Sequence, residues 1–214
     1  MEGAAISGGF WSLARTAGLL RPRGRARKGL PRLLFFTDPA RTPDAEGVAC
    51  TLPRGSAIVF RAFGAPDAAD QGRRLAAIAR IHGLTLLVGA DAGLARDLGA
   101  DGVHLPERLA HRARRLKAAH PGWVVTAAAH SALAARRGLA AGADAVVVSA
   151  VFASNSPSAG PPLGALRLAL LVRAAGGPVY ALGGVTNKTA RLLRETGLVG
   201  LAAVDGLRAD RDPL

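Results

Sequence analysis

The chain has 214 residues and a mass of 21.8 kDa, enough for one domain with a substantial core, and 50% of its residues are hydrophobic. A single cysteine, Cys50, excludes an intramolecular disulfide and a zinc cluster, so nothing in the covalent chemistry calls for an oxidising compartment and a cytoplasmic location is expected. The formal charge of +13 raises nucleic acid as a partner, but the arginines are spread over helical faces and only 4% of residues are aromatic, so stacking platforms are scarce and no nucleic-acid partner is expected.

Residues 1–32 differ in composition from the rest. A short apolar patch, Phe10-Trp11-Ser12-Leu13, precedes Arg21, Arg23, Arg25, Arg27 and Lys28 among glycines and prolines. A secretory signal would place its positive charges before the apolar stretch, and this patch is too short to span a bilayer, so no membrane partner is expected. The segment reads as a basic, disordered N-terminal extension, and residues 33–214 as the folded domain.

From Leu33 onward an apolar run of strand length is followed by a helical pattern, and the pair recurs along the chain. The strands expected are Leu33 to Thr37, Ala57 to Arg61, Thr85 to Val88, Gly102 to Leu105, Val124 to Ala128, Ala145 to Val151, Val179 to Leu182 and Leu201 to Val204. Between them, apolar residues at three- and four-residue spacing, such as Leu75, Ile78 and Ala79 or Leu166, Leu170 and Leu171, form stripes expected to pack on a sheet. Two units end alike, in Leu98-Gly99-Ala100-Asp101-Gly102 and Ala141-Gly142-Ala143-Asp144-Ala145, where the first glycine suits a helix C-cap. The first helix, near Asp44 to Thr51, is the weakest.

Repeated βα units with eight strands predict a (β/α)8 TIM barrel, whose chemistry belongs at the C-terminal ends of the strands. Those ends carry Asp38, Arg61, Asp91, His104 to Glu107, His130, Ser131, Ser154 to Ser156, Gly183, Gly184 and Asp205. In Pro178 to Ala190, a buried strand passes through Gly183-Gly184 into a helix expected over Asn187 to Glu195. Such a turn presents backbone N–H groups to an anion, although glycine there also serves tight packing. Arg61 can clamp an anion or pair with Asp38 or Asp91, and His130 can exchange protons or simply hydrogen-bond a neighbouring loop. His104 reads as packing at a strand end.

The run Leu98 to Leu105, the Ala129-His130-Ser131 step, Gly142-Ala143-Asp144, Val151-Phe152 with Pro161-Pro162-Leu163-Gly164, and Tyr180 to Val185 together resemble the thiamine phosphate synthase superfamily, which includes the TenI-type thiazole tautomerases. The resemblance spans about Leu33 to Leu207. It implies a barrel that binds a thiazole phosphate near its sixth to eighth loops. In the synthase a pyrimidine diphosphate also binds with magnesium, and the thiazole nitrogen displaces pyrophosphate.

Several positions depart from the synthase pattern. Its Asn-Asp pair falls at Gly89 and Ala90 and its second magnesium carboxylate at Leu109, with Asp91 and Glu107 out of register. Arg61-Ala62-Phe63 stands where the family has Arg-Glu-Lys, and Ser154, Ser156 and Pro157 stand where it has two threonines and a lysine. A serine is replaced by Asp205, whose charge opposes a phosphate, and Ala128 replaces the serine two before His130.

The resemblance implies a TenI-like role in thiamine metabolism. His130 would move a proton on a thiazole or thiazole phosphate held by Arg61, Ser154, Ser156, Gly183 and Gly184, with no metal and no cofactor. Two alternatives stand beside it: a thiamine phosphate synthase with a rearranged magnesium site, and a catalytically silent barrel that binds a ligand or partner. Association into a homo-oligomer stays open.

Overall fold

The computed structural model describes residues 12–23, 29–154 and 160–204. Eight strands pair in sequence order, all parallel: β1 (Leu33–Phe36), β2 (Ala57–Phe60), β3 (Thr85–Gly89), β4 (Gly102–Leu105), β5 (Val124–Ala129), β6 (Ala145–Val148), β7 (Val179–Ala181) and β8 (Gly200–Ala203). β8 returns to β1 with Leu34 opposite Ala202, which closes the expected (β/α)8 barrel.

Side-chain alternation along the strands divides the core in two. Leu34, Phe36, Ala57, Val59, Leu87, Ala145, Val147, Tyr180 and Ala202 form a cluster of strand residues that fills the barrel. Leu33, Phe35, Ile58, Phe60, Leu86, Val103 and Val146 point the other way, into a larger cluster shared with the helices. The N-terminal end of the barrel is plugged by Tyr180, whose hydroxyl donates to the carbonyl of Pro31 at 2.7 Å.

Around the sheet lie α1 (residues 12–18), α2 (Ala45–Thr51), α3 (Ala68–His82), α4 (Ala92–Asp97), α5 (Ala113–Ala119) after a 3-10 turn over Glu107–Arg112, α6 (Ala132–Ala140), α7 (Gly164–Ala175) and α8 (Asn187–Ala190). The weak first helix is rescued by its cap: the Asp44 carboxylate accepts the Gly47 N–H at 2.8 Å. The paired Gly-Ala-Asp steps share one geometry. Gly99 and Gly142 follow α4 and α6 at positive φ, and the aspartates then accept a strand N–H, Asp101 from Leu86 and Asp144 from Val125, both at 2.8 Å. Asp144 also holds Lys117 at 3.0 Å.

Three expectations are corrected. Within the N-terminal extension, residues 12–18 are helical, and Leu13, Ala17 and Leu20 are buried in the outer core. The chain beyond α1 is tied down where Arg23 N–H donates to the Gly197 carbonyl at 3.0 Å. A window dominated by arginine, glycine and proline hid three apolar residues at helical spacing, so the segment is no free arm over residues 12–23. On α7 the buried face is Leu168, Leu171, Val172 and Ala175, while Leu166 and Leu170 turn to solvent. The helix carries more leucine than one face can bury, so spacing alone does not tell which stripe packs. Third, β6 ends at Val148, not Val151, which brings Ser149 out at the mouth. Among the described residues no helix is long and apolar enough to cross a membrane.

Candidate functional site

The C-terminal ends of β5, β6 and β7 meet on one side of the barrel mouth. After β5, His130 places its Nδ1 3.1 Å from the carbonyl oxygen of Ser149 and 3.4 Å from its hydroxyl. A carbonyl only accepts, so Nδ1 is the donor in that contact, and in the neutral form of this exposed ring the lone pair falls on Nε2. The backbone of the same residue is also anchored, its N–H donating to Glu107 Oε2 at 2.8 Å. Ser131 caps α6 by accepting the Ala134 N–H at 3.1 Å.

The turn after β7 is as tight as its sequence predicts. Gly183 and Gly184 take φ of 93° and 62°, and a Cβ on Gly184 would lie 2.3 Å from the carbonyl oxygen of Ala153. That contact presses the β7 turn against the segment that leads to Ser154. Both glycine carbonyls are used, Gly183 accepting from the Phe152 N–H at 2.9 Å and Gly184 from the Thr189 hydroxyl at 2.8 Å. Their N–H groups have no partner among the described residues, and neither has the buried Oδ1 of Asn187. The carboxamide of Asn187 was not singled out in the sequence; its signal was an amide side chain one residue past Gly-Gly-Val-Thr.

The helix beyond this turn is shorter than expected. α8 has four residues and passes into a 3-10 turn at Arg191–Leu193, held at its start by a capping box between Thr186 and Thr189. One helical turn adds little macrodipole, so the donors at this end of β7 are the turn's own amides.

Arg61 stands elsewhere on the rim. Its Nε donates to the Thr37 carbonyl at 2.8 Å and its Nη2 lies 3.3 Å from Asp38 Oδ2, while its guanidinium rests against Phe36 and Phe63, 5.6 and 4.9 Å from the ring centroids. Burial pulls the guanidinium below its usual value, partly offset by Asp38. Of the two uses open to Arg61, the structure displays the pairing with Asp38.

His104 is a core residue. It faces into the barrel, 2.9 Å through Nδ1 from the Thr126 hydroxyl and edge-on to Phe36 at 4.9 Å. Burial and then the nearby Arg61 charge push its pKa down to about 3, so the ring is neutral.

Magnesium needs several hard oxygen ligands. Gly89, Ala90 and Leu109 offer no side-chain oxygen, Asp91 spends an oxygen capping α4 through the Leu94 N–H at 2.9 Å, and Glu107 spends one on His130. Among the described residues no group of three or more His, Cys, Asp or Glu could hold a metal ion. The donor set therefore does not fit a magnesium site. Ser156, Pro157 and Asp205 lie outside the described residues.

The fold is a closed parallel (β/α)8 barrel whose rim carries a glycine turn with amides that have no partner among the described residues, and a histidine held through Nδ1 by Ser149. A family model described as thiamine monophosphate synthase matches residues 33–207, and the chain belongs to that family. It is similar to the thiamine-phosphate synthase of Xylella fastidiosa (strain 9a5c), 26% identical over 100% of this chain and 95% of the relative. It is 38% identical to that of Bordetella avium (strain 197N) over 64% of this chain and 66% of the relative. Among solved structures, a thiamine phosphate pyrophosphorylase from Pyrococcus furiosus superposes with a TM-score of 0.71 and 25% identity, covering 86% of this chain and 90% of that one.

Proposed function

We propose that this chain serves thiamine biosynthesis by binding a thiazole phosphate at the β5–β7 side of its barrel mouth, and that the synthase-type transfer is the first activity to expect of it. The observation that carries the ligand is the turn after β7, where the amides of Gly183 and Gly184 have no partner among the described residues. The relatives weigh toward the transferase over the tautomerase-like isomerase, because they are named thiamine-phosphate synthase. Ser154, Ser156 and Asn187 are further groups proposed to meet the ligand, with Arg61 reaching it once Asp38 releases the guanidinium.

The magnesium of that reaction finds no matching donor set among the described residues, so the part of the transfer proposed for these residues is the binding and placing of the thiazole phosphate. A second reading is favoured by the open Nε2 of His130: proton transfer on the bound thiazole, which needs neither metal nor cofactor.

Three measurements separate these readings. Calorimetry with thiazole phosphate tests the binding itself, and Gly184→Ala should weaken it about tenfold or more, because the new Cβ meets a carbonyl oxygen at 2.3 Å. No binding by the unsubstituted protein would overturn the proposal. Pyrophosphate release from a pyrimidine diphosphate, with and without magnesium, tests the transferase. Binding without release, but with exchange of the thiazole proton into deuterated water, would give first place to the second reading.

A further inference from the structure

Helices α6 and α7 pack side by side on the outside of the barrel, and neither contains a carboxylate. Each turns to solvent a strip directly opposite its buried face. On α7 that strip carries Leu166 and Leu170, 76% and 61% exposed, and then Arg173, at i, i+4 and i+7. On α6, where Ala135 and Gly138 face inward, it carries Leu133, 55% exposed, with Arg136 and Arg137. None of these three arginines has an ion pair among the described residues. Beside α7, a groove of about 440 Å³ continues the surface, lined by Arg21, Arg23, Arg173 and Leu170, with Glu195 as its one carboxylate.

Single exposed leucines are ordinary on protein surfaces. Three of them on adjoining helices, interleaved with unpaired arginines and without a carboxylate on either helix, make an amphipathic cationic face. We propose that this α6–α7 face docks the protein on an anionic lipid surface, its leucines entering the headgroup boundary and its arginines lying against lipid phosphates. A membrane partner is not expected from the sequence, because the strip becomes visible only once the buried face of α7 is known.

Charge decides against a second copy of the chain. A two-fold contact through this face would set arginines against arginines with no carboxylate on α6 or α7 to offset them. Nucleic acid would use the cations and leave the leucines in water, whereas a lipid surface uses both.

The test is sedimentation of the full chain with phosphatidylglycerol-containing vesicles against vesicles of phosphatidylcholine alone. Binding is expected to the anionic vesicles only and to fall with salt. Leu166→Gln with Leu170→Gln should lower partitioning about tenfold or more, and Arg136→Gln with Arg137→Gln about thirtyfold, with melting temperatures unchanged because all four side chains are exposed. Four outcomes would overturn the proposal: no preference for anionic vesicles, full displacement by soluble glycerol phosphate, RNA binding that is insensitive to the leucine substitutions, or a dimer that those substitutions dissociate.

Discussion

His130 Nδ1 and the carbonyl oxygen of Ser149 lie 3.1 Å apart, and this one contact sets which ring nitrogen of His130 can act as a base. Because the partner is main chain, Ser149→Ala should leave the histidine poised as before. His130→Asn keeps a donor near the Nδ1 position but removes Nε2. It should lower exchange of the thiazole proton into deuterated water by about 10²–10⁴-fold while calorimetric binding of thiazole phosphate stays within a few fold. Unchanged exchange in His130→Asn would show that the proton moves elsewhere.

Asp38 holds the Arg61 guanidinium in a largely buried pair, their side chains 19% and 26% exposed. Asp38→Asn leaves that cation without its carboxylate. It should cost about 1–3 kcal/mol of stability, a discounted share of what breaking a fully buried pair costs. The same change frees the guanidinium fork, so affinity for inorganic phosphate should rise. A fall in stability with no gain in phosphate affinity would confine Arg61 to a structural role.

The barrel was legible because each strand is an apolar run bounded by turn residues, and the eight expected strands match the observed ones within one residue at most ends. The sequence pattern and the structure part where a local pattern meets a tertiary decision. Leu166 and Leu170 fit a helical stripe as well as Leu168 and Leu171 do, and only the packed sheet chooses between them. Leu13 is buried in a core built from the whole barrel, and the chain after α1 is tied by Arg21 and Arg23 to Arg194 and Gly197, more than 170 residues away in sequence, which no window can include. At the rim, His130, Gly183, Gly184 and Arg61 are visible as residue types at strand ends. Their partners are not: the apolar run places Ser149 inside a strand, and the bonds of Glu107 and Asp91 to backbone N–H groups follow from loop geometry rather than from spacing.

His104 is buried, neutral and held near pKa 3, against an unfolded value near 6.5. Its folded pKa is depressed, so its contribution to stability is fully present above pH 6.5 and is lost as the pH falls toward 3. Melting temperature measured across that window should therefore fall more steeply for the unsubstituted protein than for His104→Gln, which cannot take up a proton. Parallel curves for the two proteins would mean that His104 stays as protonatable in the barrel as in the unfolded chain.

The N-terminal segment gives the sharpest contrast between composition and structure. Its composition predicts that removing the residues before Leu30 leaves the fold intact. The structure predicts the reverse for residues 12–23, because Leu13 and Ala17 are 0% exposed and Leu20 is 4% exposed in the core shared with the outer faces of the strands. Leu13→Ala removes three buried carbons and leaves a cavity, at a cost of about 2–4 kcal/mol, and in a chain of this size that lowers the melting temperature by roughly 5–15 °C. Leu19→Ala is the control: its side chain is 51% exposed, and the change should shift melting by no more than about 2 °C. Deleting residues 1–23 removes all three apolar anchors together with the bond from Arg23 to Gly197, and should destabilise more than Leu13→Ala alone. Melting followed by circular dichroism decides the matter. Equal melting temperatures for Leu13→Ala and Leu19→Ala would show that α1 does not hold its place on the barrel in solution.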